Sequence, residues 1–501
     1  MDLSQKKAAA KSYKQILKPT FIMGGSSIIT TLIGIIRTKF LAVILGPSGV
    51  GLAGIYMSST NLVRYIAELG IGDSGIRQIA EASGADDNKK ISRTALCVRR
   101  TAFLSGIVGS AFLLISCNYL SRWTFGDSTH SFDFIILSAA LFLEIVSDGQ
   151  IALIRGMRRI ADLAKLSIVG ALLGTVLSIP VIYFIGERGI TFYIFAVSAT
   201  GIIASWWYSR KIEVDKAKVV WRDSFAEARP LLKLGLAFML VALLVEGSQY
   251  LLRVLIIRHS GLGAAGVYQA STTLSSVYVG IILRAMTTDY YPRLTAAAND
   301  IKERNSLINK QIEVGLLLAA PVVLATITLA PLVIVIFYSP RFMSAVAILR
   351  WQILGVLLQV CTLPIGFILR AKGSGKLLFW TELFSYITLL SLAWVGMSHF
   401  GLPGIGMAFF GMNLLYGILI FGIARRTYGF VFSTRNVQIS SIFFAATVFA
   451  FATSVFLSEA SYIINIVITC AVGLFSIKTL FGGMEIAPSF MLRIKSLFSN
   501  P

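Results

Sequence analysis

Fourteen apolar stretches punctuate the chain, near residues 20–45, 50–79, 101–118, 132–154, 164–186, 190–208, 232–257, 264–290, 312–338, 343–369, 377–398, 403–424, 437–457 and 461–481. A helix that crosses a bilayer needs about 20 apolar residues. Backbone immersed in hydrocarbon must satisfy its own N–H and C=O groups, so a chain built this way is an all-α polytopic membrane protein. Composition excludes a soluble globule: 56% of the 501 residues are hydrophobic, 14% are charged and the mean hydropathy is +0.78.

Charge placement tests the count independently. With a cytoplasmic N terminus and alternating spans, 34 of the 45 Lys and Arg residues fall in the inner segments and only Arg122, Arg188, Arg258 and Arg341 in the outer ones. Such an asymmetry obeys the positive-inside rule and predicts that both termini are cytoplasmic. The formal net charge of +21 is then a topology signal. It points to anionic inner-leaflet lipid as a contact and away from nucleic acid. Lys6, Lys7, Lys11, Lys14 and Lys18 precede a first span too long for a signal-peptide core, which reads as an uncleaved signal anchor.

Cys97, Cys117, Cys361 and Cys470 are scattered, without CxxC or metal spacing. His130, His259 and His399 all fall in expected outer loops and read as solvated loop residues. No cofactor, metal site, P-loop or nucleophile–His constellation is apparent, which argues against an enzyme or an ATP-driven pump and for a secondary transporter.

The chain repeats itself. The run from Gly46 to Tyr56 (GPSGVGLAGIY) is restated 212 residues later from Ser260 to Tyr268 (SGLGAAGVY), with Gly49, Gly51, Gly54 and Tyr56 matching Gly261, Gly263, Gly266 and Tyr268. Ile154–Met157 (IRGM) and Leu369–Lys372 (LRAK) both end an even-numbered span, and Gly186, Gly189 and Ile190 recur as Gly401, Gly404 and Ile405. Two parallel six-helix lobes follow, 1–212 and 231–426, with a cytoplasmic amphipathic linker at 213–230 and an extra helix pair with a tail at 427–501.

Seven cations sit inside the spans: Arg37, Lys39, Arg64, Arg77, Arg253, Arg284 and Arg350. A cation in hydrocarbon is expensive, so it normally faces a wet or anionic cavity. Arg37, Arg64, Arg253, Arg284 and Arg350 are candidates to line a cationic substrate cavity between the lobes. Lys39 lies about 200° round the helix from Arg37 and so faces elsewhere. The competing account is internal pairing: Arg64 with Glu68, Arg77 with Asp73, Arg253 with Glu246 and Arg284 with Asp289 are all within reach, while Arg350 beside Trp351 suits the outer headgroups. Glu144, Asp148, Glu246 and Glu382 are candidates for ion coupling, because a carboxyl in a span can load and release a proton. Pro180, Pro321, Pro331 and Pro364 are expected kinks.

The GPSGVG turn after a cation-bearing first span, TTDYYPRL (Thr287–Leu294) and FMSAVAILRWQILG (Phe342–Gly355) resemble the Wzx-type O-antigen and enterobacterial-common-antigen translocases. Those proteins belong to the multidrug/oligosaccharidyl-lipid/polysaccharide exporter superfamily, and the resemblance covers about residues 15–426. It implies a MATE-like fold, alternating access and movement of an undecaprenyl-pyrophosphate-linked glycan from the cytoplasmic to the periplasmic leaflet of a bacterial inner membrane. It also implies that Arg37, Arg64, Arg253 and Arg284 face the pyrophosphate and glycan, with an O-antigen polymerase and a chain-length regulator as partners. The pair beyond the twelfth span is similar to the fourteen-span lipid II flippases of the same superfamily. A multidrug antiporter of the same fold is the alternative, but a carrier of cations calls for an acidic cavity rather than a basic one.

Overall fold

The computed structural model describes residues 3–85, 87–212, 221–285, 290–456 and 460–483, and these are almost entirely helical. They form two compact units, residues 1–269 with 337–341 and residues 270–336 with 342–501. Eleven stretches among the described residues are long and apolar enough to cross a membrane. Two of them, 25–68 and 160–209, contain a sharp internal break, a pattern compatible with fourteen spans.

The first unit comprises α1 (Leu3–Glu68), α2 (Ile71–Gly84), α3 (Asn88–Ile115), α4 (Cys117–Phe125), α5 (Ser131–Gly156), α6 (Ile160–Ile185), α7 (Gly189–Ser209), α8 (Trp221–Ser260) and the start of α9 (Leu262–Ala285). α1 is really two helices. Gly46, at φ 68° and ψ −162°, turns the chain between them in a conformation that a side chain resists. The span expected at 50–79 is also broken, because Leu69 and Gly70 both take positive φ and end one helix before α2 begins. The expected linker at 213–230 is divided: 213–220 lie outside the described residues, and 221–230 form the first turns of α8.

Glycines set the closest approaches in this unit. A Cβ on Gly51 would stand 2.3 Å from the Leu262 carbonyl, and one on Gly266 would stand 1.8 Å from the Pro47 carbonyl. The two copies of the glycine motif therefore meet backbone to backbone, as small residues allow between helices in lipid. Further along, Arg258 of α8 donates to the Trp123 carbonyl at 2.8 Å and to the Arg122 carbonyl, and so caps the C-terminal end of α4.

The second unit continues α9 and adds α10 (Tyr291–Ala296), α11 (Ile301–Thr328), α12 (Ala330–Phe337), α13 (Ala345–Ala371), α14 (Gly375–Phe400), α15 (Pro403–Tyr428), α16 (Thr434–Phe456) and α17 (Ala460–Gly483). α13 is its most enclosed helix, packed along α15 and α11. Buried Gln352 of α13 donates to Thr272 and accepts from Ser275 of α9, so a hydrogen-bonded polar link joins the two helices in the core. Pro180, Pro321 and Pro364 lie inside helices, whereas Pro331, expected as a kink, sits in the first turn of α12, where its missing N–H costs nothing. The stretch expected as one span at 312–338 ends instead at Thr328, and α12 follows after Leu329.

Local geometry repeats along with the sequence. Asp87 caps α3 through the Lys90 N–H, and Asp300 caps α11 through those of Lys302 and Glu303. α6 spans Ile160–Ile185 and α14 spans Gly375–Phe400; each follows a residue of positive φ, Arg158 or Gly373, and each ends on a positive-φ glycine, Gly186 or Gly401. The extra pair α16–α17 packs on α11. Arg304, 2% exposed, donates to the carbonyls of Ala298 and Tyr428, while Asn305 and Asn309 donate to those of Gly429 and Val431. The connection from α15 to α16 is thereby clamped to the first turns of α11.

Candidate functional site

The charged side chains inside the first unit fall into two kinds of environment. Arg64 stands 3.8 Å from a Glu144 oxygen and 3.7 Å from an Asp148 oxygen, and its guanidinium lies 5.3 Å from the centre of the Tyr65 ring. Glu68, one turn further on, adds to the negative field around it. Glu144 is tied down by the Ser198 hydroxyl at 2.9 Å. Glu68 and Asp148 both line a small cavity walled mainly by Ile71, Val98, Ala102 and Ile145. The helical spacing of Glu144 and Asp148, one turn apart on α5, brings both carboxylates to one guanidinium. Arg64 is thus compensated by acids on another helix as well as by the neighbour expected from sequence.

Arg253 is held differently. Its Nη2 and Nε donate to the Gln269 side-chain oxygen at 2.7 and 3.2 Å, and its Nη1 donates to the Gln249 carbonyl at 3.2 Å. Every one of these acceptors is neutral. Glu246 contributes only a longer-range field, with no ion pair between the two. The bonds fix the direction of the fork but leave its charge uncancelled. The glycine motif helps here: a Cβ on Gly54 would stand 3.0 Å from the Gln269 oxygen, close enough to push that amide aside by a few tenths of an ångström. Sequence reasoning missed both glutamines, although Gln249 lies one helical turn before Arg253.

The remaining candidates are dispersed. Arg37 lies over the Tyr193 ring, 5.5 Å from its centre. Arg284 is on α9, but its side chain lies outside the described residues, as do those of Asp73 and Asp289. Arg77 pairs with Glu81 at 2.9 Å on an exposed face, a partner not anticipated. Glu382 shares the second unit with Arg370 and Tyr416, whose fields it feels or contributes to. Arg350 donates to the Ile327 carbonyl at 3.2 Å and the Ser454 carbonyl at 2.9 Å, near the C-terminal ends of α11 and α16. A cation there complements both helix dipoles.

His130 requires a correction. It is no freely solvated loop residue: its Nδ1 lies 2.8 Å from the Tyr56 hydroxyl and 3.0 Å from Asp133, and its ring packs 4.0 Å from that of Phe125. Tyr56 also donates to Asp133 at 2.6 Å. The histidine is pulled in because Tyr56, 1% exposed, needs a partner for its hydroxyl. Nearby, exposed Asp127 is held below the usual carboxylate range by the Thr129 N–H that donates to it. No group of three or more His, Cys, Asp and Glu among the described residues is placed to hold a metal ion.

Residues 40–347 match the polysaccharide biosynthesis protein family. The chain belongs to that family. The matched range contains α5, α8 and both copies of the glycine motif, so the family's defining region includes the environments of Arg64 and Arg253. Among curated proteins, the lipid III flippase of Escherichia coli K12 is 22% identical over 420 residues, covering 81% of this chain and 98% of the relative. Among solved structures, the lipid II flippase MurJ in an inward closed conformation superposes with a TM-score of 0.70 at 13% identity, covering 92% of this chain and 99% of MurJ. An inward-facing multidrug resistance MATE transporter of the MOP superfamily gives 0.69 at 17% identity, covering 82% and 96%. This family member therefore has the MATE-like fold.

Proposed function

We propose that the protein is a flippase that moves an undecaprenyl-pyrophosphate-linked oligosaccharide, of the O-antigen repeat-unit type, from the cytoplasmic to the periplasmic leaflet of a bacterial inner membrane by alternating access. The observation that carries this reading is Arg253, a cation inside the bundle whose hydrogen-bond partners are all neutral. Burying a charge without a counter-ion costs several kcal/mol. A pyrophosphate supplies that counter-ion, and its oxygens suit a guanidinium fork. Family membership and the lipid III flippase relative support a lipid-linked glycan as the cargo.

Arg64 has a second role in this scheme. With Glu144, Asp148 and Glu68 around it, it already has counter-ions, so it serves the coupling ion: protonation of a carboxylate releases the guanidinium, and deprotonation recaptures it. Arg37 and Arg284 line the path of the cargo, and Glu246 and Glu382 are secondary coupling positions. The parallel lobes 1–212 and 231–426, cytoplasmic termini and an O-antigen polymerase as partner complete the scheme. A lipid II flippase is the second reading, favoured by the coverage of MurJ across 92% of this chain.

The test is transfer of labelled undecaprenyl-pyrophosphate oligosaccharide across proteoliposomes, with lipid II in a parallel arm. Arg253→Gln is expected to lower transfer of the oligosaccharide by at least about tenfold, the loss of one charge-assisted contact, with the thermal transition retained. Unchanged transfer by a folded Arg253→Gln protein would make that arginine structural. Faster movement of lipid II than of the oligosaccharide would decide for the second reading.

A further inference from the structure

One end of α7 carries a cluster that cargo transport does not use. Along that helix Phe192, Phe195, Ile203 and Trp206 form one exposed stripe, the mark of a face turned to acyl chains. The stripe ends in Trp206 and Trp207, 48% and 56% exposed, as aromatic residues do where acyl chains give way to headgroups. Immediately beyond them stand Arg210, 4.4 Å from the centre of the Trp206 ring, and Lys211, 4.6 Å from that of Tyr208.

The backbone under these cations is built, not loose. Ile212 is buried among Ile79, Leu153, Ile154 and Leu166. Ser209 donates to Gln150, and Arg159, from the turn between α5 and α6, donates to the Lys211 carbonyl at 2.9 Å. Arg158 and Lys165 are exposed on the same turn and the helix that follows it. Among the described residues of this group the acid is Asp162, and it is paired with Arg159 at 3.6 Å. Among the described residues the result is an excess of positive charge, anchored to the core, beside a lipid-facing aromatic stripe. Arg210 and Lys211 rest on aromatic rings, a contact weaker than a charge-assisted hydrogen bond to phosphate.

We propose that the end of α7 and the α5–α6 turn form a binding site for the headgroup of an anionic glycerophospholipid, with its phosphate between Arg159, Arg210 and Lys211 and its acyl chains along the Trp206 stripe. The acyl-chain stripe, which a soluble phosphate would not need, selects a bilayer lipid as the occupant. The site is independent of which glycan the protein carries.

The experiment is native mass spectrometry of the full-length protein titrated with dioleoylphosphatidylglycerol or dioleoylphosphatidylcholine. Wild type is expected to retain phosphatidylglycerol preferentially. Arg210→Gln/Lys211→Gln lowers its affinity about 25-fold, roughly fivefold for each cation removed. Arg425→Gln/Arg426→Gln, which removes two exposed cations from the end of α15, changes it less than about twofold on the same scale. Equal retention of the two lipids, an unchanged double variant or an equal loss in the α15 control would overturn the proposal. If the double variant does not fold, quenching of tryptophan fluorescence by brominated phosphatidylglycerol decides: a loss of quenching in Trp206→Phe/Trp207→Phe specific to that lipid supports the site, and the same loss with brominated phosphatidylcholine removes it.

Discussion

Gly51 and Gly266, drawn from the two copies of one glycine motif, touch through their main chains: a Cβ on Gly51 would lie 2.8 Å from the Gly266 nitrogen. The contact explains why the motif recurs. Its glycines are a mutual docking surface that also leaves room for the amide of Gln269.

Gly266→Ala is expected to abolish folding, because its methyl group would sit 1.8 Å from the Pro47 carbonyl and backbone cannot step aside. Gly263→Ala, one turn away, meets Ser48 Oγ at 3.6 Å and Pro47 Cβ at 4.0 Å, both ordinary contacts, and should be neutral or gain up to about 1 kcal/mol of helix propensity. Yield of monodisperse protein on size exclusion separates the two, and equal behaviour would dismiss the docking argument.

Arg64→Ala leaves Glu144 and Asp148 facing each other without a cation and should destabilise by on the order of 2 kcal/mol, between the values for exposed and for fully buried pairs. Adding Glu144→Gln and Asp148→Asn should restore most of the loss. The check is a thermal-unfolding cycle across the variants; strictly additive effects would mean that the three groups do not interact.

Arg350→Ala should cost about 1.5–3 kcal/mol by freeing carbonyls near the ends of α11 and α16. Transport per folded molecule should stay near wild type, since the guanidinium sits against the negative C-terminal ends of two helices. A large fall in transport at unchanged stability would instead return Arg350 to the cargo path.

Tyr56→Phe removes the donor to Asp133 and should cost roughly 1–3 kcal/mol. Asp133→Asn made in the Tyr56→Phe background should cost less than in wild type. Chemical denaturation in detergent measures both, and an identical cost in each background would break the proposed network.

Arg304→Ala is expected to release the 429–433 connection without unfolding the bundle. Hydrogen exchange should rise there and at the start of α16, because Arg304 and Asn305 hold the carbonyls of Tyr428 and Gly429. Protection unchanged in that segment would show that the asparagines suffice.

The sequence by itself determined the solvent and the all-helical architecture. Bilayer thickness sets the length of an apolar run, and hydrocarbon leaves helices as the one open-chain solution, so these follow from local composition. The matched glycines Gly186 and Gly401, read from the sequence only as an echo of the repeat, both take positive φ, which is cheap for that residue. Only the tertiary structure decided what each charge meets. Arg64 and Arg253 are both single arginines in apolar runs, yet one faces carboxylates on α5 and the other an amide on α9. That difference depends on helix rotation and on partners far along the chain, which hydropathy does not encode. His130 was hidden for the same reason: a loop position looks solvated until the buried tyrosine 74 residues earlier claims it.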